Sequence, residues 1–338
     1  MERVDLVVDR LCRRYSSTQA ADLLPRVARY RDHVLELRQS RATIREKRDL
    51  LLAAGWLSIL LACLQVDVGD RQAAETNRRA AFSIGKETAH PELMAWAVEM
   101  LAWVALIDER FDIASRAARA GQDLTRIGTS AMVQLLVQEA KAWSQLGSLS
   151  DAEAALERAE LALAQLPPSS TPEHHFVFDP TKLIFFAGTC YTWLAQDTRA
   201  EAHAHEVIVQ SHAAGKLTRV AEAHVNLALI AVHRGDIPQA VDLGQQALSG
   251  SRPCATTLGR LVELDAALLK HGNGIPEIRE FHERYMLITE ERLTQVSLPS
   301  YAQSLLEIQG RAMLVSAQDR PAGRREDSSL GISSKQTR

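Results

Sequence analysis

The stretch Asn226–Ala247 reads NLALIAVHRGDIPQAVDLGQQA, and its spacing decides the fold. Apolar residues recur at three- and four-residue intervals on both sides of Gly235-Asp236, the pattern of two amphipathic helices joined by a tight turn. Ala240 opens the second helix. Equivalent alanines stand at Ala74, Ala114, Ala152 and Ala200, so the five anchors lie 40, 38, 48 and 40 residues apart. Self-similarity at this period predicts helix pairs stacked as a solenoid, each burying its apolar face on its neighbours.

Three further positions repeat with each anchor. Ala228, Gly235 and Ala247 have counterparts in Ala62, Gly69 and Ala81; in Ala102, Glu109 and Gly121; in Ala140, Gly147 and Ala159; and in Gly188, Ala195 and Val207. Small residues where helices cross let the backbones approach to about 8–10 Å. The pattern resembles the tetratricopeptide family, with Tyr191 at that family's aromatic position. The resemblance implies an all-α, right-handed solenoid of about five to six helix pairs. A sixth pair, Leu258–Tyr285, has lost the pattern, as a terminal repeat does.

The chain divides into basic, linker-like N-terminal helices over 1–45, a solenoid over 46–292, a capping helix over 293–316 and a polar tail over 317–338. The tail has few apolar residues and no period, which predicts disorder. Pro25 predicts that the second helix becomes regular only near Leu24. The spacing of 48 has its cause in the insertion Pro167–Pro180, rich in proline and carrying Phe176 and Phe178. Those rings cover something apolar: the solenoid's own core, or a ligand on its concave side.

At 338 residues the chain outgrows a single compact core, a limit that a solenoid escapes. The net charge of −3 excludes a nucleic-acid-binding polycation. Residues 1–48 carry +5 and 311–338 carry +3, so the middle carries −11. That is either a solvated acidic surface or a body suited to cationic and neutral ligands. The four cysteines form no CxxC pair, which leaves zinc and redox motifs unsupported and fits a reducing cytoplasm. Met1–Arg14 is too charged for a signal peptide. Leu50–Val66 lacks charge for 17 residues, short for a membrane span, and reads as the buried first helix of a repeat. Seven of eleven histidines fall within 174–233, but none are spaced i, i+4, so no metal site is expected. No nucleotide-binding fingerprint is present and no cofactor is expected.

A narrower resemblance rests on Arg13–Thr18, Ala21–Pro25, the repeats, and Phe178–Leu183 with Phe186–Thr189 and Tyr191. Together they resemble the sensor regions of actinobacterial helix-turn-helix regulators of the Xre type. The DNA-binding domain that precedes such a region is not matched, so direct contact with nucleic acid is not expected.

In the tetratricopeptide family, set positions of each first helix face the groove. Carried onto this sequence they give Trp56; Trp96, Glu99 and Trp103; Gln134, Gln138 and Lys141; Lys182, Phe185 and Thr189; and Glu222 and Asn226, with Phe178 added from the insertion. The tryptophans are core filler or an aromatic wall for a planar or apolar ligand. Asn226 either clamps a peptide backbone with both amide atoms or bonds within its own helix pair. These residues lead to a cytoplasmic sensor or adaptor that binds a peptide or small hydrophobic signal, with a protein partner or a second copy as its output. Two other classes remain open: a cofactor-independent enzyme using Glu99, Lys141, Lys182 or a histidine as acid or base, and a protein–protein scaffold.

Overall fold

Fourteen helices and no strand occupy the described residues, 2–250, 254–272 and 274–295, of the computed structural model. They are α1 (Glu2–Arg13), α2 (Ala20–Gln39), α3 (Ile44–Asp67), α4 (Arg71–Glu87), α5 (Pro91–Ile107), α6 (Phe111–Gln122) and α7 (Ser130–Gln145). There follow α8 (Leu149–Ala164), α9 (Thr181–Trp193), α10 (Asp197–Ala213), α11 (Leu217–His233), α12 (Ile237–Gly250), α13 (Ala255–Leu269) and α14 (Pro276–Gln295). The protein is all-α. Most of the expected capping helix 293–316 and the whole tail 317–338 lie outside the described residues.

Each anchor alanine is the fourth residue of its helix, in α4, α6, α8, α10 and α12, and all five are fully or almost fully buried. The turn position before each anchor is left-handed without exception: Gly69 (φ 85°), Glu109 (56°), Gly147 (75°), Ala195 (51°) and Gly235 (77°). Three are glycine, for which that conformation carries no Cβ clash. Glu109 and Ala195 hold it at a cost of roughly 1–2 kcal/mol each. Each turn also closes its hairpin with a backbone bond, as from Asp236 N to Ala231 O at 2.9 Å.

Each helix from α2 to α12 packs on the next, and α3, α5, α7, α9, α11 and α13 pack in series as a second row. The row bends far enough for α13 to touch its far end. The Ala255 amide donates to Asp67 Oδ1 (3.2 Å), and Trp103 Nε1 on α5 donates to Thr256 Oγ1 (3.3 Å).

The N-terminal helices are not a detached linker. Val4, Leu11, Leu23, Val27 and Val34 share one core with Leu57, Leu60 and Leu64 of α3. α2 is helical from Ala20, with Pro25 inside it. The missing Pro25 N–H falls in the second turn, and the helix accepts that loss within its packing against α3. α3 starts at Ile44, well before the uncharged run that begins at Leu50, and is capped reciprocally by Thr43 and Glu46. By length and hydropathy α3 is apolar enough to cross a membrane, but 83% of its most apolar window is buried among neighbouring helices.

Candidate functional site

The residues carried over by register do not form one groove. They separate into a buried polar seam, an aromatic cluster and ordinary core.

The seam runs along the inner row of helices. Spacings of three, four and seven residues put Glu99 and Trp103 on one face of α5, and Gln134, Gln138 and Lys141 on one face of α7. Glu99 Oε1 accepts from Gln138 Nε2 (2.6 Å) and Gln134 Nε2 (3.1 Å). Burial pushes the Glu99 carboxyl above the ordinary carboxylate range, against the pull of those two amides. On α11, Glu222 accepts from Thr257 Oγ1 (2.9 Å), and burial raises its carboxyl as well. Asn226 uses both amide atoms internally: Oδ1 accepts from Arg260 Nη2 (2.6 Å) and Nδ2 donates to Thr189 Oγ1 (3.4 Å). Neither bond stays within the helix pair of Asn226, α11 and α12: its amide instead ties α11 to α13 on one side and to α9 on the other.

Arg260 anchors the far end. Its guanidinium pairs with Glu263 and lies 4.9 Å from the Trp193 ring, whose Nε1 donates to the same carboxylate (2.9 Å). Two atoms of this seam are buried without a partner among the described residues: Gln138 Oε1 and Arg260 Nε, on residues only 2% and 3% exposed. Lys141 is 5% exposed and sits 5.2 Å from the Phe186 ring, with no ion pair among the described residues. Burial lowers the affinity of its amine for a proton, partly offset by Glu222.

Lys182 begins the seam at the N-terminus of α9. Burial, then the charge of Arg219, brings its amine down to about 8. It lies over the Phe178 ring (5.8 Å) and donates to the Val177 carbonyl (3.4 Å). Next to it Asp179 binds Lys216, Arg219 (2.9 Å) and Thr181, which overcome its burial and hold it far below the usual carboxylate range. Asp179 also accepts the Thr181 amide (3.1 Å), meeting one of the free N–H groups at the start of α9.

The aromatic cluster lies elsewhere. Phe176 of the insertion sits 5.3 Å from both Trp56 and Trp96, and the adjacent His175 amide bonds to the Cys12 carbonyl of α1. Phe178 takes its place in the next core segment, its amide held by Ser130 Oγ (2.9 Å). Phe185 is buried beside Phe186 in that same segment. The insertion therefore joins two core segments through two rings. Next to Phe176 a cleft of about 590 Å³ opens between α1, α3 and α5, lined by Trp56, His174 and the carboxylates Asp5, Asp9, Asp49 and Glu92. Asp9 is already paired with Arg13 (2.8 Å).

Thr257, Arg260 and Trp193 are absent from the sequence-derived set. The signal for Arg260 was present: it stands 34 residues after Asn226, close to the 37 that separate Asn226 from Thr189. The loss of small residues in the last pair hid that register. No group of histidine, cysteine, aspartate or glutamate with metal-binding geometry occurs among the described residues. All three cysteines within the core (Cys12, Cys63 and Cys190) are pushed up by burial, which makes them poor nucleophiles.

No protein-family model matches this chain, and no curated protein matches it in sequence.

Proposed function

We propose that this protein is a tetratricopeptide-type, right-handed α-solenoid that binds a small ligand in its inner seam and acts as a sensor or adaptor. The observation that carries the reading is the pair of buried, unpartnered polar atoms, Gln138 Oε1 and Arg260 Nε, beside the unpaired Lys141. Leaving such groups unsatisfied costs about 1–3 kcal/mol each, more for charged ones. A fold that keeps them gains that free energy back when a ligand supplies the missing partners. The register of small residues, the left-handed turns and the packing of odd-numbered helices in series support the solenoid reading.

The sensor reading, on the resemblance to Xre-type regulators, places the protein in the cytoplasm. It acts there through a protein partner or a second copy, not through DNA contacts of its own. The ligand is small, because both amide atoms of Asn226 are already engaged by Arg260 and Thr189, away from the paired geometry a peptide backbone needs, and α13 closes the row against α3 and α5. Coupling runs from the seam through α5 to the core shared by α3, α1 and α2.

Native mass spectrometry of the protein purified gently from its own cells tests this. A bound small molecule at near one per chain is expected, with slower hydrogen exchange in α1 and α2 when it is present. A chain that carries nothing and whose exchange responds to no cell extract refutes the reading. A second reading, acid–base catalysis, is favoured by one observation: Lys182, brought down to about 8, shares the seam with the carboxyl of Glu99, which burial raises. Turnover of the captured molecule, abolished by Lys182→Met, would decide for it.

A further inference from the structure

The seam contains charges that do not neutralise one another by contact. Lys141 has no carboxylate at ion-pair distance among the described residues. Glu222 is met by one hydroxyl and Glu99 by two amides, neither by a cation. Arg260 has two of its nitrogens engaged and Nε left over. The unmet needs are thus of both kinds. Arg260 Nε lacks an acceptor and Gln138 Oε1 a donor among the described residues, and Lys141 and Glu222 add charges that no opposite charge meets at ion-pair distance there.

These groups converge. Gln138 and Lys141 are neighbours one turn apart on α7, while Glu222 and Asn226 are one turn apart on α11, where Asn226 bonds Arg260 of α13 and Thr189 of α9, the helix that packs on both α7 and α11. Water satisfies a lone donor or acceptor, but it brings no charge to an isolated buried ammonium or carboxylate. Around Lys141 the charges balance: Lys141 and Arg260 stand against Glu222 and Glu263. A ligand of net charge zero with separated charges preserves that balance. A simple acid or amine disturbs it.

We propose that the seam binds the zwitterion of a free amino acid. Its carboxylate lies between the Lys141 ammonium and Arg260 Nε. Its ammonium faces Gln138 Oε1 and the Glu222 carboxylate. This rests on the ligand-binding reading above and names the ligand class for it. Each end then forms charge-assisted hydrogen bonds, which are roughly twice as strong as neutral ones. The Trp193 indole, stacked on Arg260, is positioned to report occupancy.

Calorimetric titration with the twenty L-amino acids, each beside its N-acetyl derivative and its α-amide, tests the assignment. At least one free amino acid is expected to bind. Removing either charge should weaken its binding by more than about thirtyfold. Lys141→Met and Glu222→Gln should each weaken it to a similar degree. In the unmodified protein the tryptophan emission should shift on binding, a readout that does not depend on any variant folding. Equal binding of the N-acetyl or amide forms overturns the proposal, as does no binding of any amino acid up to about 10 mM. If no amino acid binds but the purified protein carries another small molecule, the zwitterion assignment fails and the ligand-binding reading stands. If it carries none, both fail.

Discussion

Glu139 offers the sharpest test of how the helix stack holds together. It lies on α7 with its side chain fully buried, and it draws α6 and α8 onto that helix. Its carboxylate accepts from Arg119 Nε (2.7 Å), Arg158 Nη2 (2.9 Å) and Gln122 Nε2 (2.8 Å). Burial alone would raise its proton affinity. The Gln122 and Arg119 bonds, with Arg158, outweigh that and leave the carboxyl below its ordinary value. Glu139→Gln keeps the shape but replaces one acceptor oxygen with a donor that faces guanidinium N–H groups. Hydrogen bonds to charged groups contribute about 1.5–3 kcal/mol, and breaking a buried pair costs about 3–5. Arg119 and Arg158 are 56% and 47% exposed and recover much of their hydration, so the lower end applies. The expected loss is about 2 kcal/mol, a fall in Tm of about 3 °C for a chain of 338 residues at neutral pH. The pH dependence fixes the cause. A carboxyl depressed in the folded state stabilises above its unfolded pKa of about 4.3, and that contribution disappears as pH falls through the lower folded value. The gap between the two proteins should therefore close in acid. A gap under about 1 °C at pH 7, or one unchanged at pH 3, refutes the account.

Phe176→Ala removes a ring wedged between two tryptophans and should cost about 3–5 kcal/mol in urea unfolding, with a red shift of tryptophan emission; a loss below about 1 kcal/mol would show that the insertion does not support the core. The left-handed turns give a signed set: Glu109→Gly and Ala195→Gly should each stabilise by up to about 1 kcal/mol, while Gly147→Ala, with open space around its Cβ, should destabilise by about 1–2. Thermal melts in which all three move the same way would contradict the turn assignment. Lys182 is depressed to about 8 in the folded chain, against about 10.4 unfolded, so its penalty is present below pH 8 and is relieved as pH rises to about 10. Lys182→Met should accordingly raise Tm at pH 7 and lose that advantage by pH 10; an advantage that grows with pH would reverse the assignment.

The hairpins are local and can be read from residue spacing. Ala74, Ala114, Ala152, Ala200 and Ala240 and the turn residues before them act within one helix pair, where tight crossing and left-handed backbone are local demands. The inner stripe was legible for the same reason: Glu99, Gln138, Lys141, Glu222 and Asn226 follow from helical spacing alone. Tertiary structure decided what the stripe becomes. Whether α13 reaches α3 and α5 depends on small rotations summed over successive pairs, and no residue spacing records that sum. The same accumulation brings Arg260 onto Asn226 and closes what register alone would leave as an open groove. The path of the insertion was equally non-local. Phe176 and Phe178 read as two apolar rings in a loop, and only the space left between α1, α3 and α5 and beside α9 fixed where each is buried. Periodicity encodes neighbours in the chain; enclosure and charge partnership arise from elements far apart in sequence, whose positions only the assembled helices set.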